Sequence, residues 1–309
     1  MANSRKAETV GNIQRLVIDL CLGAWAELGV SSWARTHQNW AVDPEPLVIF
    51  TAGFAKSDPR LRDEAIDWCI RNWRHLSQVR LRNILKCQSN ELLSEWGPFA
   101  ATVNVHAGIR WPLATTELPY KKTGRTNLRP LTEPSLVLLR MREMFGLGAR
   151  SEILRYFLFH PSDRVTAAML SEVTSYAKRN VAEACDALVQ AGLLSARLIG
   201  NRYYYSIARA ERLADFVGAI PLIVPNGNAL LRVASAIFRV ASLANEVSDD
   251  VLVVEVRNVV AEIENDLDTL DIGGLKPLHG AAILGEWSVW SSEVARCLAS
   301  GIWPTTPSG

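Results

Sequence analysis

Two short runs in the middle of the chain carry side chains suited to a polyanion: Lys178-Arg179-Asn180, and Arg197 followed by Gly200-Asn201-Arg202. Lysine and arginine neutralise phosphates, arginine also donates to guanine O6 and N7, and asparagine pairs with adenine N6 and N7. Tyr176, just upstream, adds a ring that either stacks on a sugar or packs against the preceding helix. Asn180 equally fits as the group that satisfies a helix start, and Arg197 and Arg202 as ordinary strand-surface charges. Nothing comparable points to bond-making chemistry. The chain holds no G-x-x-x-x-G-K-[ST] loop, no G-x-G-x-x-G after a strand, no G-x-S-x-G and no H-E-x-x-H. His37, His75, His106, His160 and His279 stand alone, and Cys21, Cys69, Cys87, Cys185 and Cys297 form no C-x-x-C pair. Asp266, Asp268 and Asp271 lack the glycine of a calcium loop and read as a helix end. No enzyme, no cofactor and no metal site is expected.

The elements that position the cationic runs follow from periodicity. Residues 152–160 give one helix, with Ser151 as its start, and 167–173 give a second. A third begins at Lys178, with Val181, Ala184, Cys185, Leu188 and Val189 on one side at steps of three and four. Burying that stripe leaves Lys178, Arg179, Ala182, Glu183, Asp186 and Gln190 outside. Cations in a first turn oppose the positive end of the helix dipole, so their placement points to an anionic partner rather than to stability. Gly192 ends the helix, and two short strands close on Gly200-Asn201, a two-residue turn of the kind hairpins favour. Lys178, Arg179 and the hairpin arginines then share one region.

The segment AAMLSEVTSYAKRNVAEACDALVQAGLLSARLIGNRYYYSI, within residues 149–208, resembles the winged helix-turn-helix domain of bacterial transcription regulators of the ArsR and MarR kinds. The resemblance implies that the third helix enters a major groove and that the hairpin, the wing, touches the backbone or minor groove. By position it implies DNA contacts from Lys178, Arg179 and Asn180 on the helix and from Arg197, Asn201 and Arg202 on the wing. The metal-sensing cysteine pair of the ArsR kind is not present.

The fold expected is mainly α: a winged helix-turn-helix of three helices plus a β-hairpin wing, flanked by N-terminal and C-terminal helical regions. The divisions are an N-terminal helical domain over 1–111, a basic proline-containing linker over 112–134, the winged helix-turn-helix over 135–210, and a C-terminal helical element over 211–309. In the first, Ile13 to Leu28 recur at helical spacing. Asp58-Pro59 opens a helix and Ser77 caps another. Residues 71–86 hold Arg71, Arg74, His75, Arg80, Arg82 and Lys86, read as the cationic outer face of a helical pair in preference to a second reading surface, because no hairpin follows. The linker, with Lys121, Lys122 and Arg125 among four prolines, reads as a solvated tether in preference to a minor-groove arm. The last helix ends before Pro304, and the C-terminal helices are read as a dimerisation element.

The net charge of +1 conceals a division: residues 105–149 and 150–210 carry +4 and +3, and residues 211–309 carry −7. A basic middle suits a polyanion. Arg5 and Lys6 precede a stretch interrupted by Asp19 and Glu27, a poor secretory signal, and no apolar run is long enough for a membrane span. Widely spaced cysteines in odd number favour a reducing cytoplasm. The function expected is sequence-specific transcription regulation by a cytoplasmic bacterial homodimer on double-stranded DNA. The alternative is an antitoxin or protein-interaction adaptor whose winged helix represses its own operon or serves only as a scaffold.

Overall fold

The computed structural model describes residues 2–30, 40–54, 58–276 and 280–300, with side chains described from Val10 onward. His37, His279, Pro304 and the side chains of Arg5 and Lys6 lie outside that set. Thirteen α-helices and one two-stranded antiparallel sheet make up the described residues, a mainly helical chain. No helix among them is long and apolar enough to cross a membrane.

Helix α1 (Ala2–Glu27) buries Ile13, Val17, Leu20, Cys21, Ala24 and Trp25, the face its spacing predicts. Helix α2 (Pro44–Phe54) is apolar almost all round and is buried on nearly every side, as such a helix must be. It is the hub. Around it pack α1, α3 (Pro59–Asn72), α4 (Gln78–Leu85), α5 (Asn90–Ala107) and, from the other end of the chain, α11 (Gly227–Leu243). Asp58 and Ser77 cap α3 and α4, accepting from Leu61 N–H at 2.9 Å and Arg80 N–H at 3.3 Å.

The middle of the chain supplies α6 (Val137–Phe145), α7 (Ala149–Phe159), α8 (Ala167–Thr174) and α9 (Lys178–Gln190), then β1 (Leu194–Ile199), β2 (Arg202–Ile207) and α10 (Ala210–Val217). Helix α7 begins earlier than expected. Gly148 precedes its first turn, and Ser151 is a buried residue inside it, its hydroxyl donating to the Gly148 carbonyl at 2.8 Å. Then α11, α12 (Asp249–Leu270) and α13 (Ala282–Ser300) follow, with α11 and α13 laid against α1. The apolar stripes of the C-terminal helices are thus spent largely within the chain.

Residues 112–134 are not a free tether. Asp67 on α3 accepts from Thr123 N–H at 2.6 Å and Gly124 N–H at 2.7 Å, and from the Tyr120 and Thr123 hydroxyls. Trp96 donates to the Pro112 carbonyl, Arg71 to the Thr126 carbonyl and Arg129 to Glu27. Gly29 lets this strap close on the end of α1: its φ is +94°, and a Cβ there would lie 1.6 Å from the Asn127 carbonyl oxygen. Lys121, Lys122 and Arg125 remain exposed along it.

Candidate nucleic-acid interface

Helix α9 divides as an amphipathic helix should. Val181, Ala184, Cys185 and Leu188 are buried on α7, α8 and β1, and Lys178, Arg179, Asn180, Glu183, Asp186 and Gln190 are exposed. Ala182 and Val189 are only half-buried. Ala177 occupies the capping position and has no side chain to accept from the first turn, so the backbone N–H groups there stay open beside Lys178 and Arg179. Asn180 makes no capping bond among the described residues. Arg179 donates to Glu183 at 2.8 Å, one turn along, in a pair exposed enough for the arginine side chain to reach 88% of its full accessibility. An ion pair this open to water is readily exchanged for another anion.

Ahead of the helix the chain turns sharply at Ser175, whose φ is +58°. Tyr176 follows, and here the sequence reading needs correction. Its ring is 5% exposed, its hydroxyl lies 2.7 Å from Ser77 Oγ, and burial raises the pKa of that hydroxyl. A side chain so enclosed presents no face to a sugar, and Tyr176 is withdrawn from the set of DNA contacts. It belongs to a clasp on the turn. Arg80 Nε donates to the Thr174 carbonyl at 3.1 Å and Asn83 Nδ2 to the Ser175 carbonyl at 3.0 Å.

The hairpin pairs Leu194 with Ile207, Arg197 with Tyr204, Leu198 with Tyr203 and Ile199 with Arg202. Directly opposed residues share a face and alternate along a strand, so Arg197 and Arg202 project from the same side of the ribbon. Both are exposed, as is Asn201 beside Gly200, whose φ is +62°. On the other side, Leu194 and Tyr205 are buried at the base. Tyr205 exchanges backbone bonds with Val165, at 3.0 and 2.8 Å, and its hydroxyl reaches Asp186 on α9 at 3.3 Å. The base of the ribbon is therefore fixed to α9 about 12 Å along the axis from Lys178. Of the seven residues picked out by sequence, six are exposed on α9 and the ribbon. Five of them, all but Arg179, have no side-chain partner among the described residues.

Behind the turn lies a charged cluster that sequence reading missed. Arg142 on α6 donates to both oxygens of Glu45, at 2.8 and 2.9 Å, to Glu152 at 2.8 Å and to the His75 carbonyl. Arg80 on α4 grips Asp43 with two bonds, at 2.7 and 2.6 Å, and also donates to Glu45. All five side chains are nearly or fully buried. Burial alone pushes the carboxyls of Asp43 and Glu152 upward, but neighbouring guanidiniums, Arg80 foremost, outweigh it, lowering Asp43 and holding Glu152 well below the usual carboxylate range. The one local signal was Arg142 inside the apolar run LVLLRMREMF. Its carboxylate partners come from α2 and α7.

Arg140, in the same run, takes a different course. Its guanidinium donates to the carbonyls of Leu131, Thr132, Glu133, Val217 and Ala219, tying the strap to the end of α10. No group of three metal-ligating side chains occurs among the described residues. A groove of about 550 Å³ runs beside α9, bounded by Val79, Phe145, Leu147, Asn180 and Glu183. No protein family, curated protein or solved structure matches the chain.

Proposed function

We propose that the chain is a transcription regulator that binds double-stranded DNA through residues 149–207, arranged as a winged helix-turn-helix. Helix α9 enters the major groove by its first turn, with Lys178, Arg179 and Asn180 facing base edges and phosphates. The β1–β2 ribbon is the wing, and Arg197, Asn201 and Arg202 lie on the flanking backbone. One observation carries this reading: the apolar side of α9 and the base of the ribbon are buried, yet five cationic and amide side chains on their outer sides have no side-chain partner among the described residues. The element order, three helices with a bridge at Val165 and then a ribbon, supports the same assignment.

The protein acts as a homodimer on two half-sites in this proposal. With α11 and α13 turned inward against α1, the dimer surface falls to the outer sides of α12 and α13, where Val251, Val254 and Val289 are exposed. Five free cysteines suit a reducing bacterial cytoplasm.

The test is a fluorescence anisotropy titration against duplexes recovered by a genome-wide footprint of the tagged protein. Lys178→Ala with Arg179→Ala should weaken binding about 5- to 150-fold per lost base contact, or flatten the salt dependence by about one unit per lost phosphate contact. Equal binding by the double variant and the wild type rejects the assignment.

A second reading, an antitoxin or adaptor that holds a protein partner, is favoured by the wing tip. Leu198, Ile199 and Tyr203 are 57%, 48% and 57% exposed there, an apolar tip more suited to a protein than to phosphates. Co-purification of a stoichiometric partner that is lost on Leu198→Ser with Tyr203→Ser would select it.

A further inference from the structure

We infer that α4 is a second DNA-contacting element, in which Arg82 and Lys86 hold a phosphate strand that borders the groove α9 enters. This deepens the DNA-binding reading above and rests on it.

Helix α4 belongs in sequence to the N-terminal region but is built into the base of α9. Three contacts join it to the three residues of the turn: Arg80 Nε to the Thr174 carbonyl, Asn83 Nδ2 to the Ser175 carbonyl, and Ser77 Oγ to the Tyr176 hydroxyl. Ser77 also caps α4, and Arg80 is locked to Asp43 and Glu45. The turn and α4 therefore behave as one body, and whatever orients Lys178 orients α4 as well.

The outer face of α4 continues the surface of α9. Val79 and Asn180 border the same groove, which places the start of α4 across from the first turn of α9. Arg82 and Lys86 follow Val79 at steps of three and four, on the same face, and both are exposed. Neither is paired with a carboxylate among the described residues, and Lys86 Nζ donates to the side-chain oxygen of Asn83 at 3.2 Å. Glu183, which borders the same groove, is engaged by Arg179.

With the first turn of α9 in a major groove, exposed cations on the neighbouring face of α4 are placed to meet the phosphates that border it. Contacts of this kind are electrostatic and independent of sequence.

The experiment uses the full chain and a fluorescein-labelled 30-base-pair duplex of mixed sequence, titrated by anisotropy between 50 and 200 mM KCl. Arg82→Gln with Lys86→Gln should lower the slope of log K against log salt by about 1.8 units, at about 0.9 per phosphate. Arg82→Lys with Lys86→Arg should restore it, which a merely structural role for the two side chains would not require. A glutamine variant that binds with the wild-type slope overturns this inference and leaves the wing and α9 untouched. Failure of the wild type to bind any duplex overturns the DNA-binding reading itself.

Discussion

Arginine appears in two settings a few residues apart in space, and the contrast between them explains how one basic segment both holds the fold together and faces outward. At the junction of α2, α4, α6 and α7, Arg80 and Arg142 are buried with Asp43, Glu45 and Glu152. On α9 and the β1–β2 ribbon, Arg179, Arg197 and Arg202 stand in solvent. Every guanidinium nitrogen of the buried pair donates to a fixed acceptor, so the pair transmits position: the turn before α9 cannot shift without breaking a bond to Arg80. In the exposed group only Arg179 has a side-chain partner among the described residues, the water-exposed Glu183 one turn along its own helix. Of the +4 carried by residues 105–149, Arg140 and Arg142 are interior and Arg129 is paired with Glu27. The charge left at the surface is therefore smaller than the sequence total, and α9, the β1–β2 ribbon, α4 and the strap each carry part of it.

The strongest way to break this contrast is to empty the buried setting. Arg142→Met would leave Glu45 and Glu152 short of a partner in the interior, and the expected loss is about 3–5 kcal/mol in urea unfolding. A loss below about 1 kcal/mol would mean that the cluster is hydrated and does not fix the junction. Acid should act on the same groups. Asp43 and Glu152 have folded-state pKa values below their ordinary 3.8 and 4.5, so below those values the unfolded chain binds more protons than the folded one. Their contribution is complete above about pH 4.5 and falls away as the pH drops toward the depressed values. Urea midpoints measured from pH 7 to 3 should be level in the upper part of that range and decline below it. A decline already complete by pH 5 would show that the cluster is not its source.

Tyr176 sits on the boundary between the two settings and sharpens it. Tyr176→Phe removes the bond to Ser77 and should cost about 1 kcal/mol of stability, with DNA affinity at 25 °C unchanged. Loss of affinity at full folding would return the ring to the DNA-contacting set.

Much of the local structure was legible because it is written in neighbouring residues. The stripe of α1, the Ser77 cap, the face of α9 and the Gly200-Asn201 turn all depend on spacing within one element. Helix α5 was missed: Gly97 and Pro98 interrupt its pattern, although the helix runs through both. Helix α10, eight residues long and without a side-chain cap at Arg209 to mark its start, was missed too. The strap reads as a tether because proline and lysine dominate its composition, while the carboxylate that docks it, Asp67, lies more than fifty residues away. The ion cluster is hidden for the same reason. Arg142 meets Glu45 across a separation of 97 residues, and no local rule pairs them.

The smallest effect expected on folding belongs to the exposed setting. Lys178 and Arg179 occupy the uncapped first turn of α9, where the helix dipole disfavours cations, and the pair between Arg179 and Glu183 is open to water. Lys178→Ala with Arg179→Ala should therefore leave the urea midpoint where it is, or raise it slightly, while DNA binding falls. The slope of the unfolding transition should be unchanged too, since no buried surface is altered. If the midpoint drops instead, the two cations are part of the scaffold after all. The distinction between arginines that position α9 and arginines that face its partner would then have to be redrawn around the first turn of that helix.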